Sequence, residues 1–213
     1  MSERVAKVVV AGAGPAGLVS AILLAQAGVD VVCLAPSSGE DPRTVALMQP
    51  ALNLLRNIGV WTADLQEQSA PLNHLHIIDD TGYMVTAPDL RFAAKEINLE
   101  SFGWNVPLTV LLPHLREKAN QSGVRFLPNK ATGAACASTS IAISLDDGTV
   151  VTAEVAIAAD GSNSILRQAA GIDVEHWAFE QEALVTQFSQ RSATVENCVP
   201  NSGAAAGYSD FSW

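Results

Sequence analysis

Cysteine is scarce in this chain. Three stand among 213 residues, Cys33, Cys136 and Cys198, scattered and odd in number. No Cys-x-x-Cys pair or Cys/His cluster occurs, so neither a disulfide framework nor a zinc site is expected. That usage fits a reducing compartment, and the cytoplasm is the expected location. Basic residues are also few. Twelve Lys and Arg stand against 22 Asp and Glu, a net charge of −10, and the isoelectric point is near 4.7. An acidic surface disfavours phosphate backbones, so no nucleic-acid partner is expected. No block of like charge and no internal repeat stands out. Met1 to Lys7 is short and mixed in charge and does not read as a targeting signal. The long uncharged run from Val8 to Val29 is broken by Gly12, Gly14, Pro15, Gly17 and Gln26. Those residues argue against a membrane span.

What is present is concentrated at the start. Val8, Val9 and Val10 lead through Ala11 into Gly12-Ala13-Gly14-Pro15-Ala16-Gly17. An apolar stretch, Leu18 to Ala27, closes at Gly28, and Val29 to Leu34 is rich in β-branched residues. This is strand, glycine turn, helix, strand, the context in which a GxGxxG turn marks a dinucleotide site. Gly12 allows the tight turn, Gly14 lets the backbone approach a pyrophosphate, and Gly17 lets the helix pack closely. The helix N-terminus offers N–H groups and the positive dipole end to phosphates. The acidic residue usual at the end of the second strand is missing. The strand ends Cys33-Leu34-Ala35-Pro36, so the adenosine ribose must be held by backbone or by another side chain.

Further along, Leu47, Met48, Ala51, Leu54, Leu55 and Ile58 fall at helical spacing between Val45 and Ile58. Pro50 places the regular helix start near itself, and Gly59 is the expected C′ residue. Arg43, on its own, reads as a solvated loop arginine. Leu75 to Ile78 and Tyr83 to Thr86 flank Asp79-Asp80-Thr81-Gly82, a hairpin signal. His74 and His76 share a face with no third ligand in sight, so they read as surface histidines and no metal is expected. Asp89 to Phe102 reads as polar and irregular. Pro107 to Ala119 reads as a helix beginning just before Pro113, and Val124 to Leu127 as a strand. A second hairpin surrounds Asp146-Asp147-Gly148. The run Val155 to Ala159 fits a buried parallel strand. It empties into Asp160-Gly161-Ser162-Asn163-Ser164 and a helix from Ile165 to Ala170. A ligand site beyond that strand end and a helix cap by Asp160 or Ser162 are compatible readings.

The two glycine motifs in this order make the chain resemble the FAD-dependent aromatic hydroxylases with the para-hydroxybenzoate hydroxylase fold. Within them it is most similar to the ubiquinone-biosynthesis hydroxylases, through Arg43-Thr44-Val45-Ala46-Leu47, Leu55 to Trp61 and Arg167 to Ile172. The resemblance covers roughly residues 5 to 188. It implies an α/β fold: a Rossmann-like FAD/NAD(P)-binding domain with inserted β-hairpins and an incomplete substrate-binding sheet. Residues 1–175 are the expected FAD-binding domain, with a β insertion at about 72–103. Residues 176–213 are expected to open a truncated substrate domain and end in an irregular tail, from a strand at Ala183 to Ser189. The family's second flavin motif has no counterpart before Trp213, so the chain alone is expected to be inactive as a hydroxylase. The cofactor-binding set implied by the resemblance is Gly12, Ala13, Gly14, Pro15, Ala16, Gly17, Ala35, Arg43, Thr44, Ala131, Asp160 and Gly161. Arg43 would lie beside the flavin, and Leu108 stands where a polar residue is usual. The implied activity is hydroxylation of an aromatic ring, a prenylated phenol in the ubiquinone branch, using FAD, NAD(P)H and O2. No side chain is named as catalytic acid or base. The resemblance admits peripheral association with the inner membrane or a multi-enzyme assembly. A prenyl reductase, a halogenase and a non-catalytic FAD-binding fragment remain open as alternatives.

Overall fold

The computed structural model describes residues 3–37, 39–77, 88, 90–177, 184–188 and 205–209. In chain order the elements are β1 (Glu3–Ala11), α1 (Pro15–Gln26), β2 (Val31–Leu34), β3 (Thr44–Met48), α2 (Gln49–Asn57), α3 (Ala63–Glu67), β4 (Ala70–Leu72), β5 (His74–Ile77), β6 (Leu90–Ala93), β7 (Gly103–Pro107), α4 (Leu108–Gln121), β8 (Arg125–Leu127), β9 (Ala131–Cys136), β10 (Ile141–Leu145), β11 (Val150–Ala158), α5 (Ile165–Ala169), β12 (Leu184–Phe188) and β13 (Ala205–Ser209). A 3-10 turn follows β6 at Ala94–Ile97. The chain divides into two compact units, residues 1–41 with 111–175, and residues 42–110 with 176–213.

The first unit is built on a six-stranded sheet in the order β8-β2-β1-β11-β10-β9. β8, β2, β1 and β11 run parallel, and β10 and β9 continue antiparallel. The glycine turn and α1 make the β1–β2 crossover, so the βαβ reading of residues 8–34 is borne out, with β1 starting earlier, at Glu3. α1 buries Gly17, Leu18, Ala21 and Ile22, one stripe at helical spacing. β8 and β9 are opposite edges of this sheet, yet residues 128–130 alone join them. In a flat sheet those edges would stand about 24 Å apart, beyond the reach of about 14 Å for so short a link. The sheet therefore curls, bringing β9 and β10 back over the parallel strands. The closed space is filled by Val9, Ala11, Val32, Leu34, Leu127, Ala131, Ile143, Leu145, Val151 and Leu166, all buried in one cluster.

β11 is parallel to β1, as its apolar run predicts, but it is not buried throughout. Val155 is 53% exposed, and Ala158 is exposed too. β10 pairs only with Val150 to Ala153, so the second half of β11 has no ladder partner on that side among the described residues. α4 also differs from expectation. It starts at Leu108, which sets Pro113 well inside it. The proline removes the N–H that would bond the Thr109 carbonyl, at about 3 kcal/mol. Thr109 and Pro113 are both exposed, so that carbonyl can bond water. Burial of Leu111 and Leu115, worth about 1.5–3 kcal/mol each, offsets the loss.

The second unit holds a three-stranded antiparallel sheet, β3-β7-β4, and two two-stranded ribbons, β5-β6 and β12-β13. Thr44–Met48 is a strand, not part of the helical run read from Leu47 and Met48. It pairs residue for residue with β7, and this distant partner outweighs the local spacing. The helix begins at Gln49 with Pro50 in its first turn, and Gly59 follows it at φ 72°, as expected. Residues 90–97 are ordered as strand and 3-10 turn rather than irregular, because Leu90–Ala93 finds β5 as a partner. The hairpin turn read at Asp79 to Gly82, its return strand Tyr83 to Thr86, and Cys198 lie outside the described residues. β12 is paired along its length with β13. No helix among the described residues is long and apolar enough to cross a membrane.

Candidate functional site

The site is set by the parallel strands of the first unit. β1, β2 and β11 end at the same edge, in register at Ala11, Leu34 and Ala158. The segments leaving those ends are the glycine turn, Ala35 and Asp160-Gly161. Backbone hydrogen bonds tie them to the ends of the neighbouring strands. The Gly12 N–H donates to the Leu34 carbonyl at 3.0 Å, and the Ala159 N–H donates to the Ala11 carbonyl at 2.9 Å. Ala35 is buried and donates its N–H to the Leu127 carbonyl at 2.8 Å.

The three glycines of the turn do different work. Gly12 has φ +107°, and a Cβ there would sit 2.1 Å from the Ala159 carbonyl oxygen. A Cβ on Gly17 would sit 2.0 Å from the Gly12 carbonyl oxygen and 3.2 Å from the Ala159 Cβ. These two glycines are demanded by the protein itself. The helix packs on the turn and on the end of β11 here, a finer account than packing on the strand. At Gly14 a Cβ would meet nothing within 4 Å among the described residues, and the backbone is extended at φ −73°, ψ 177°. The fold does not require glycine there. Gly14 is the N-cap of α1, no side chain caps that helix, Pro15 opens it, and its first turn carries no acidic residue. An anion would supply what this helix end lacks, so the turn fits a dinucleotide pyrophosphate.

Asp160 stands beside the turn, its Cα 3.1 Å from the position a Gly12 Cβ would take. Its Oδ2 accepts from the Ile165 N–H at 2.7 Å and the Leu166 N–H at 3.4 Å. The N-cap of α5 is Ser164, whose Oγ accepts from the Arg167 N–H at 3.0 Å. This corrects the sequence expectation: Ser162 does not cap, and Asp160 assists from four residues before the cap. Ser164 was legible as a hydroxyl directly before the helix, but Ser162 offered the same chemistry two residues earlier. Burial pushes the Asp160 carboxyl up. Hydrogen bonds from the Ser164 side chain and from the Asp160, Ile165 and Leu166 backbone outweigh that and hold it below the ordinary carboxylate value. Its Oδ1 is buried without a partner among the described residues, an acceptor suited to a hydroxyl donor.

A pH dependence follows. A carboxyl lowered on folding stabilises the protein above its unfolded pKa, and that stabilisation fades as pH falls through the lowered folded value. Asp160→Asn should therefore melt lower than the parent near neutral pH. The difference should shrink below about pH 4. Thermal melts across pH 3–7 test this, and a difference independent of pH would refute it.

Ala131 opens β9 inside the buried cluster with Leu34, Leu127 and Leu166. Arg43 and Thr44 belong to the second unit, where the Arg43 carbonyl accepts from the Leu108 N–H at 2.9 Å and Thr44 opens β3. Leu108 is buried. His74 and His76 are exposed, and the Arg91 Nε donates to the His76 Nε2 at 3.3 Å. No group of three metal-ligating side chains occurs among the described residues. The second unit also has an apolar cavity of about 450 Å³ lined by Met48, Leu72, Leu75, Phe92, Ile97 and Phe102.

The chain is 29% identical over 196 residues to the 3-demethoxyubiquinol 3-hydroxylase of Escherichia coli (strain K12), covering 87% of this chain and 49% of that protein. It is 26% identical over 215 residues to the ubiquinone hydroxylase UbiL of Rhodospirillum rubrum, covering 93% of this chain and 48% of that one. The chain thus spans about half the length of these curated relatives. Its fold is that of pqsL, a probable FAD-dependent monooxygenase from Pseudomonas aeruginosa, with a TM-score of 0.72 at 21% identity over 87% of this chain and 50% of that one. The family model described as "FAD binding domain" matches residues 5–204, a span that holds both glycine motifs and the sheet that joins them, and the chain belongs to that family.

Proposed function

We propose that this chain is the cofactor-binding part of an FAD-dependent monooxygenase that hydroxylates an aromatic ring with NAD(P)H and O2. The observation that carries this reading is the meeting of the glycine turn and Asp160-Gly161 at one sheet edge, with open space over Gly14. The ubiquinone hydroxylases among its relatives support the ubiquinone branch. The apolar cavity of the second unit supports a substrate with an apolar tail, such as a prenylated phenol. Peripheral contact with the inner membrane belongs to the same proposal.

In this reading residues 1–175 form the FAD-binding domain and residues 176–213 belong to the substrate domain. Backbone N–H groups from Gly12 to Gly17 and the α1 dipole hold the pyrophosphate. Backbone at Ala35 replaces the missing acid at the adenosine ribose, and Ala131 lines the same end of the cofactor. Asp160 keeps one oxygen on α5 and offers the other to a cofactor hydroxyl, with Gly161 leaving space beside it. Arg43 and Thr44 serve the flavin side. Bound FAD supplies the hydride acceptor and the oxygen chemistry. The protein orients the ring and excludes water.

The test is titration of the purified chain with FAD, followed by flavin fluorescence, then NADPH oxidation with and without a simple phenol. Saturable quenching and FAD-dependent NADPH oxidation are expected. Absence of saturable quenching would sink the reading.

A further inference from the structure

We propose that Cys33 is a positioning residue for the phosphate-binding turn: its thiol holds the Gly12 carbonyl inward and so keeps the Ala13 N–H turned outward to the cofactor. This inference rests on the FAD reading above. Cys33 lies in β2 opposite Val10 and is fully buried. Its Sγ donates to the Gly12 carbonyl oxygen at 3.7 Å. The next residue, Leu34, accepts from the Gly12 N–H at 3.0 Å. Both polar backbone groups of Gly12 are thus tied to β2.

A trans peptide sets the carbonyl of one residue and the N–H of the next on opposite sides. With the Gly12 carbonyl held toward Cys33 and against Gly17, the Ala13 N–H faces the other way. Strand, turn and helix all meet on that one oxygen. Burial pushes the thiol up to about 11, offset in part by Arg116, so the S–H remains a donor at neutral pH. A thiol so buried and protonated is a poor nucleophile, and donation to Gly12 is the chemistry left to it.

The experiment measures the FAD dissociation constant and the thermal midpoint for the unaltered chain, Cys33→Ala and Cys33→Ser. Cys33→Ala should weaken FAD about three- to tenfold, the range of one neutral hydrogen bond. Cys33→Ser restores a donor and should return affinity to within about twofold of the parent, whatever it does to the midpoint. Should Cys33→Ala fail to fold, Cys33→Val fills the site without a donor and takes its place. A donor-less variant that binds FAD as the parent does overturns the proposal. So does a serine variant that binds as weakly as alanine. If the unaltered chain itself shows no saturable binding, the FAD reading falls and this inference with it.

Discussion

Gly14→Val should weaken FAD binding about 100-fold or more while leaving the fold almost intact. The two effects separate because a Cβ at this position meets no atom of the described residues within 4 Å and the backbone there is extended, a conformation that valine adopts readily. The penalty to the protein is confined to helix capping, where glycine is better than valine by about 1 kcal/mol. For a chain of this size that lowers the melting temperature by only about 2–4 °C. The two added methyl groups would occupy the space over the helix N-terminus, where the pyrophosphate needs to approach the backbone. Loss of that approach is expected to weaken FAD by about 100-fold or more, the equivalent of about 3 kcal/mol. Fluorescence titration of parent and variant, with circular dichroism melts alongside, measures both quantities. Unchanged affinity in a folded variant would remove the turn from the cofactor site.

Gly17→Ala should do the reverse and strongly destabilise the domain. Intrinsic propensity favours alanine in a helix by about 1 kcal/mol, so a helix-only argument forecasts a gain. Packing decides otherwise. The new Cβ would stand 2.0 Å from the Gly12 carbonyl oxygen, with the Ala159 Cβ at 3.2 Å. Both neighbours are fixed, the first by β2 and the second by β11, so neither can step aside cheaply. Moving α1 off the sheet would open the core around Leu18, Ala21 and Ile22, all essentially fully buried. A net loss of about 3–5 kcal/mol is expected, enough to drop the melting temperature by about 10 °C. A variant melting within a few degrees of the parent would show that α1 can shift without loss. Together the two substitutions divide one motif into a glycine needed by the ligand and a glycine needed by the fold.

The local elements of the first unit were legible because their signals are local. Gly12, Gly14 and Gly17 lie between two β-branched runs, and the turn between β10 and β11 is written in Asp146-Asp147-Gly148, where the Asp147 carboxylate accepts from the Thr149 N–H at 2.8 Å. The misreadings share one cause. Leu47 and Met48 were counted in a run at helical spacing, and Leu90–Ala93 read as irregular, until β7 and β5 supplied partners. Strand identity in those stretches rests on hydrogen bonds to residues far away in sequence, and no window of local spacing contains them. The exposure of Val155 has the same origin, since it depends on where β10 stops.

For the site, the sequence by itself determined the chemistry available: a glycine turn after a strand, an Asp-Gly pair after another, and Ala35 where an acid is usual. The tertiary structure decided the rest. The parallel register of β1 with β11 sets Asp160 against Gly12 across almost 150 residues of chain. The curl of the sheet brings Ala131 into one cluster with Leu34 and Leu166. Only packing showed that Gly17 answers to a carbonyl while Gly14 answers to nothing among the described residues. A sequence lists which backbone atoms lack a side chain; the distance to the next atom, which determines whether that absence serves the fold or a ligand, exists only once the chain has closed on itself.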